Sequence, residues 1–219
     1  MNIPQSKERF LADASSCLSG IYDKLSTLAS LKLEELDPKA TMLIVIDINN
    51  GFAKAGALYS PRTQALIEPI ANLVDRCISL GCGLLAYSDK HTEQSPELGA
   101  YPPHCMQGSE EWHLVDELSR LSQFVVYKNS TNGFLAGGGL PRPEIKNYII
   151  TGCCTDICIY QFATTLRAAL NEQNNHSRVI VPIDFVDTYD APWHNADFAN
   201  LIHLDSMMSN GVEVVAHIN

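Results

Sequence analysis

A chain of 219 residues fits one globular domain and is long enough to bury a sizeable core without disulfides. Its 46% hydrophobic and 18% charged residues exclude a disordered polymer, and a formal charge of −10 argues against nucleic acid or an anionic membrane as partner. No apolar run approaches the roughly 20 residues of a bilayer span.

The first 17 residues carry no apolar core of the signal-peptide type. The cysteines number seven, an odd count, and read as free thiols in a reducing cytoplasm. From about Gln5 to Leu36, apolar residues recur at helical spacing: Phe10, Leu11, Ala14, Leu18, Ile21, Tyr22, Leu25 and Leu28. Residues 1–40 therefore read as a helical extension, in one piece or two. Its stripe packs on the domain or on a neighbouring subunit, which leaves a homo-oligomer open. Asp37-Pro38 punctuates the chain, and residues 41–219 read as one domain.

From Met42 onward, short apolar runs alternate with amphipathic stretches. The runs are Met42–Ile46, Gly83–Tyr87, Phe124–Tyr127, Tyr148–Thr151, Val179–Val181 and Val212–Val215, with helical patterns at Ala65–Leu80 and Ile157–Leu170. Runs without polar alternation suit strands covered on both faces. The expectation is an α/β fold of three layers, α/β/α, around a six-stranded, mainly parallel sheet. Ligands in such sheets bind beyond the carboxyl ends of the strands. Asp47 follows the first strand, Asp89 and His91 the second, and a cysteine cluster the fourth. Lys128 follows the third, a strand expected to be interior.

That cluster, ITGCCTDIC, puts Cys153, Cys154 and Cys158 on one turn. Thr155-Asp156 reads as a helix cap, with Cys158 in the first turn, where the helix dipole favours thiolate. The plainer reading makes Cys158 a small buried hydrophobe. A zinc knuckle lacks its second Cys/His pair, and no CxxC is present. Asp47 could take a thiol proton or simply end a strand, and Lys128 could stabilise a thiolate or be a surface cation. Asp89-x-His91 presents two donors on one side of an extended segment. The loop SPELGAYPPHC adds a carboxylate and His104, and two histidines with two carboxylates suit Zn²⁺, Mn²⁺ or Fe²⁺. Glu93 competes with Glu97 for that place, while His113, His176, His203 and His217 read as surface or capping residues.

Together these motifs resemble the isochorismatase-like cysteine hydrolases, most closely their nicotinamidase branch, from about Thr41 to the end. The family's D-x-x-N-x-F pattern falls on Asp47 of IDINNGF, and its lysine after the third strand on Lys128. Its G-x-x-T-D-x-C turn falls on GCCTDIC, and its D-x-H and Y-P-P-H metal motifs on DKH and YPPH. The resemblance implies that Cys158 is the nucleophile, Asp47 the base and Lys128 the cation of the set. It implies one divalent ion, Zn²⁺ first with Mn²⁺ or Fe²⁺ as alternatives, on Asp89, His91, Glu97 and His104. Many members supply a third histidine between the two metal motifs; none lies between His91 and His104, and Glu97 fits the glutamate variant. A cis bond between Cys153 and Cys154 is implied, with the N–H groups of Cys154 and Cys158 forming an oxyanion hole and Asp156 a capping neighbour. Phe52 and Tyr101 match ring-sandwiching aromatics. The implied reaction converts nicotinamide, or a close aromatic amide, to the acid and ammonia through a thioester. The rival readings are a same-fold amidase of a carbamoyl compound or ureide, and a non-catalytic protein of this fold, which would have no need of the Asp, Lys and Cys set.

Overall fold

The computed structural model describes residues 6–219, so Gln5, at the start of the expected helix, lies outside the described residues. Helix α1 spans Lys7–Ser26, with the Ser6 hydroxyl accepting the Arg9 N–H at its start. Only its last turns are covered. Leu25 is buried and Ile21 packs against the core, whereas Phe10, Leu11 and Tyr22 are 50%, 52% and 64% exposed. The segment after α1 is tied to the C-terminus by backbone bonds between Leu31 and His217 and between Leu33 and Asn219.

The remaining elements follow in order: β1 (Thr41–Ile46), α2 (Asn50–Ala53), α3 (Pro61–Ala65), α4 (Ile67–Leu80), β2 (Gly83–Asp89), β3 (Val125–Lys128), β4 (Asn147–Cys153), α5 (Tyr160–Glu172), β5 (Arg178–Pro182), β6 (Val186–Asp187), α6 (Ala196–Ser209) and β7 (Glu213–Val215). Helix α4 buries Ile67, Ile70, Leu73, Val74 and Cys77 along one side and stops at Gly81, whose φ of 85° suits glycine. Helix α5 buries Phe162, Ala163, Leu166 and Leu170. These spacings are the helical period, and they set the helices on opposite faces of the sheet.

The sheet order is β3-β2-β1-β4-β5-β7, and every pairing is parallel. Met42, Ile44 and Ile46 join the core under α5 and α6, while Leu43 and Val45 join the core under α4. Alternate residues of β1 thus serve both faces, as its unbroken apolar run demands. All six expected strands form. The seventh, β6, has two residues, too short for a periodic signal; it takes over from β5 as the partner of β4 at Gly152 and Cys153. The strand before Lys128 is not interior: β3 is the sheet edge, and strand order is set by crossovers that a local pattern does not encode. Among the described residues, no helix is long and apolar enough to cross a membrane.

Candidate active site

Four strand ends converge at one edge. Asp47 leaves β1 with φ 57° and is fully buried, its backbone N–H on the Tyr87 carbonyl and its Oδ1 accepting the Asp89 N–H at 3.1 Å. Lys128 and Asp89 are register partners, and Lys128 Nζ lies 2.5 Å from Asp89 Oδ1 and 2.8 Å from Asp47 Oδ2. The second contact is ionic and not aligned as a hydrogen bond, which leaves Asp47 Oδ2 free to take a proton. Lys128 Nζ is also 3.8 Å from Cys158 Sγ.

Burial raises Asp47 to about 6, with Asp89 pushing the same way and Lys128 opposing. Burial works against the Lys128 ammonium, but Asp47 and Asp89 outweigh it and hold the charge firmly in place. Burial also holds the Cys158 thiol well above its ordinary range, with Lys128 pulling down and Asp47 and Asp89 pushing up. The lysine charge is already engaged by two carboxylates, so the resting group is a thiol beside an ionisable carboxylate.

The cysteine turn requires Gly152. Its φ is 119°, and a side chain there would collide with the Ile46 carbonyl of β1. The Cys153–Cys154 peptide is cis, Cys153 Sγ faces the Asp47 carbonyl at 3.2 Å, and a wide turn, Thr155–Ile159, carries Cys158 into α5. Thr155-Asp156 does not cap it. The position before the turn is Cys154, with no side-chain cap, and the Asp156 carboxylate instead accepts from Thr188 Oγ1 at 2.6 Å and pairs with His194 Nε2 at 2.8 Å.

Beside this group, donor atoms of Asp89, His91, Glu97 and His104 all lie within 4.8 Å of one another. Asp89 Oδ2 is 3.6 Å from His91 Nε2 and 3.8 Å from His104 Nε2, and Glu97 Oε1 is 3.7 Å from His91 Nε2. The outer ring nitrogens are held: His91 Nδ1 by Asn129 Oδ1 at 3.1 Å and His104 Nδ1 by the Pro102 carbonyl at 2.8 Å. Carbonyl acceptors fix hydrogen on Nδ1 and turn the Nε2 lone pairs inward, the arrangement of metal-binding histidines. His91 Nε2 is buried without a hydrogen-bond partner. The donor set therefore fits a divalent ion. Glu97 Oε2 accepts the Thr131 N–H at 2.9 Å, whereas Glu93 is exposed and outside the cluster.

A cavity of about 500 Å³ opens onto both groups. Phe52 and Tyr101 line it, their rings 5.5 and 6.1 Å from that of His104. Tyr189 and Trp193 line it too, from a segment after β6 in which the sequence offered no motif. The one available signal was the aromatic run TYDAPWH just beyond a strand end.

The family profile described as the isochorismatase domain matches residues 41–215. The chain belongs to this family. It is 29% identical to nicotinamidase 1 of Arabidopsis thaliana, over 80% of this chain and 82% of that one. N-carbamoylsarcosine amidase from Thermoplasma acidophilum superposes with a TM-score of 0.65 at 23% identity, over 80% of this chain and 95% of that one. Pyrazinamidase of Pyrococcus horikoshii in complex with zinc gives a TM-score of 0.59 at 22% identity, over 81% and 99%. At those identities the two structures speak for the fold alone.

Proposed function

We propose that this protein is a hydrolase of linear amide C–N bonds, acting on nicotinamide or a close aromatic amide. The observation that carries the reading is the meeting, in one cavity, of a thiol, a buried carboxylate able to take its proton, and a four-donor cluster with an orphaned histidine nitrogen.

Asp47, ionised above about 6, takes the Cys158 proton as Sγ attacks the amide carbonyl. The new negative charge on sulfur is offset by Lys128, 3.8 Å away. The N–H groups of Cys154 and Cys158 receive the carbonyl oxygen as it becomes an oxyanion. Asp47 then returns the proton to departing ammonia, leaving a thioester on Cys158. Asp47 next takes a proton from a water that attacks the thioester, and the acid leaves as the thiol re-forms. Asp89, His91, Glu97 and His104 would hold the ion, with Zn²⁺ favoured by the two imidazoles and by the zinc-bound pyrazinamidase of the same fold, and Mn²⁺ or Fe²⁺ also compatible. When bound, the ion supplies a Lewis-acidic position that orients a ring nitrogen. Phe52 and Tyr101 pack the ring beside it.

A second reading, an amidase of a carbamoyl compound or ureide, has the fold likeness to N-carbamoylsarcosine amidase in its favour. The donor cluster weighs against it, because such substrates offer an ion no ring nitrogen. Ammonia release from nicotinamide, benzamide, a carbamoyl amino acid and a ureide, with and without chelator, separates the two. Chelator-sensitive turnover of nicotinamide above benzamide is expected, with Cys158→Ala inactive and Cys153→Ser and Cys154→Ser active. Turnover confined to the ureide or carbamoyl compound moves the second reading ahead, and turnover by Cys158→Ala removes the nucleophile.

A further inference from the structure

One wall of the cavity is carried by a segment that the proposed chemistry does not use. Residues 188–195 join β6 to α6, and Tyr189, Asp190, Ala191 and Trp193 line the cavity. Paired backbone bonds between Ala191 and His194, each 2.9 Å, close the segment into a tight turn, and Asp190 Oδ1 accepts the Ala196 N–H at 3.0 Å. Trp193 is 84% exposed, so its place is set by that turn and not by packing of its own ring.

The turn is fastened at His194. Its Nε2 lies 2.8 Å from Asp156 Oδ2, its Nδ1 lies 2.9 Å from the Tyr189 carbonyl oxygen, and its ring stacks on Tyr189 with centroids 4.0 Å apart and planes 11° from parallel. Both nitrogens thus face oxygen atoms, and the ring is held between the Asp156 carboxylate and the Tyr189 carbonyl. Asp156 is the anchor on the other side. It stands two residues before Cys158 in the same turn, and its second oxygen accepts from the buried Thr188 hydroxyl at 2.6 Å. One carboxylate therefore joins both ends of the wall segment to the turn that carries the thiol.

We infer that His194 is a positioning residue that sets substrate choice: through Asp156 it fixes the Tyr189–Trp193 wall against the nucleophile turn, so that planar aromatic amides are held over Cys158. The inference rests on the proposed reading of Cys158 as the nucleophile for an aromatic amide. Loss of the tie releases the wall while Asp47, Lys128 and Cys158 keep their own contacts, so the cost falls on ground-state binding.

Steady-state ammonia release from nicotinamide by the metal-loaded protein tests it with His194→Ala, His194→Gln, Trp193→Ala and the His194→Ala/Trp193→Ala pair. Losing a hydrogen bond to a carboxylate predicts a KM rise of roughly 10-fold in His194→Ala, with kcat changed by less than about threefold. His194→Gln, which retains a donor for Asp156, should recover most of the loss. The double variant should be no worse than the worse single one, because both act through the same wall. An unchanged KM, a loss confined to kcat, or fully additive effects overturns the assignment. A second arm needs no turnover: Cys158 alkylation by benzyl bromide and by iodoacetamide, read by mass spectrometry on its own peptide. His194→Ala should narrow the preference for the aromatic reagent, and an unchanged ratio counts against the wall. If the unsubstituted protein releases no ammonia from nicotinamide, the proposed function fails and the alkylation ratio alone decides the role of His194. Should His194→Ala not fold, Asp156→Asn takes its place with the same KM criterion.

Discussion

Lys128 and Asp89 face each other as register partners on adjacent parallel strands, with Nζ 2.5 Å from Oδ1. The other oxygen of Asp89 turns toward His91 and His104. One carboxylate therefore belongs to both the thiol group and the four-donor cluster. Asp89→Asn should lower metal affinity by at least the roughly 10–100-fold seen when a supporting partner is lost. It should also speed Cys158 alkylation near neutral pH, because a charge that opposes thiolate is gone. His104→Ala should lower metal content alone. Metal titration and alkylation rates on the metal-free variants check both, and an unchanged alkylation rate in Asp89→Asn removes the electrostatic link.

Lys128→Met should act in the opposite sense on the thiol. Without the ammonium, Cys158 sits beside two carboxylates with no counter-charge, so alkylation should slow. Breaking a buried ion pair also costs about 3–5 kcal/mol, and the urea midpoint should fall accordingly. An alkylation rate equal to that of the unsubstituted protein would exclude Lys128 from activating the thiol.

Activity should depend on pH through Asp47. Burial raises this carboxyl to about 6, so below that pH it is protonated and cannot accept from Cys158. The expected profile of kcat/KM falls on the acid side with the loss of one ionisation, and a bound cation beside Asp89 should move that limb lower. The effect on folding has the other sign. Because the folded state holds the proton to higher pH than the unfolded chain, the contribution of Asp47 to stability declines as pH rises from about 4 to about 6. A flat kcat/KM from pH 5 to 8, in apo and metal-loaded protein alike, would rule out Asp47 as the proton acceptor.

Two truncations should separate the parts of the N-terminal segment. Among the residues that removing 1–20 takes away, Lys7–Gly20 are mostly exposed helix, and stability should change by less than about 1 kcal/mol. Removing residues 1–36 also takes Leu25, Leu33 and Leu36, all buried, together with the backbone bonds to His217 and Asn219. At about 1.5–3 kcal/mol for each buried side chain, that loss should unfold the protein or lower its midpoint sharply. Equal midpoints for the two would contradict the packing described for Leu33 and Leu36.

The strands and the residues at their ends were legible because each signal is local. An apolar run predicts a covered strand, and a polar residue just past its end stands where ligands gather, which is how Asp47, Asp89, Lys128 and Cys158 stood out. The contacts of Asp156 were not legible. Thr155-Asp156 has the spacing of a cap, and its true partners, Thr188 and His194, lie 32 and 38 residues along the chain. The burial of Cys158 beside Asp47 and Asp89 was not legible for a related reason, since helix position is read from sequence but the packing of distant carboxylates is not. The edge position of β3 and the two-residue strand β6 depend on crossover order and on a pairing too short to leave a pattern.

The exchange of partners along β4 has a consequence for how this protein can change. Asn147–Ile149 pair with β5, whereas Gly152 and Cys153 pair with β6, whose chain continues directly into residues 188–195. The strand ends that carry Asp47, Lys128 and Cys158 and the Tyr189–Trp193 wall of the cavity thus come from different segments. A library randomised at Tyr189, Ala191 and Trp193, with Asp156, Thr188 and His194 kept, should yield many folded members with intact thiol chemistry and divergent amide preferences, a division of labour that makes this edge of the sheet evolvable.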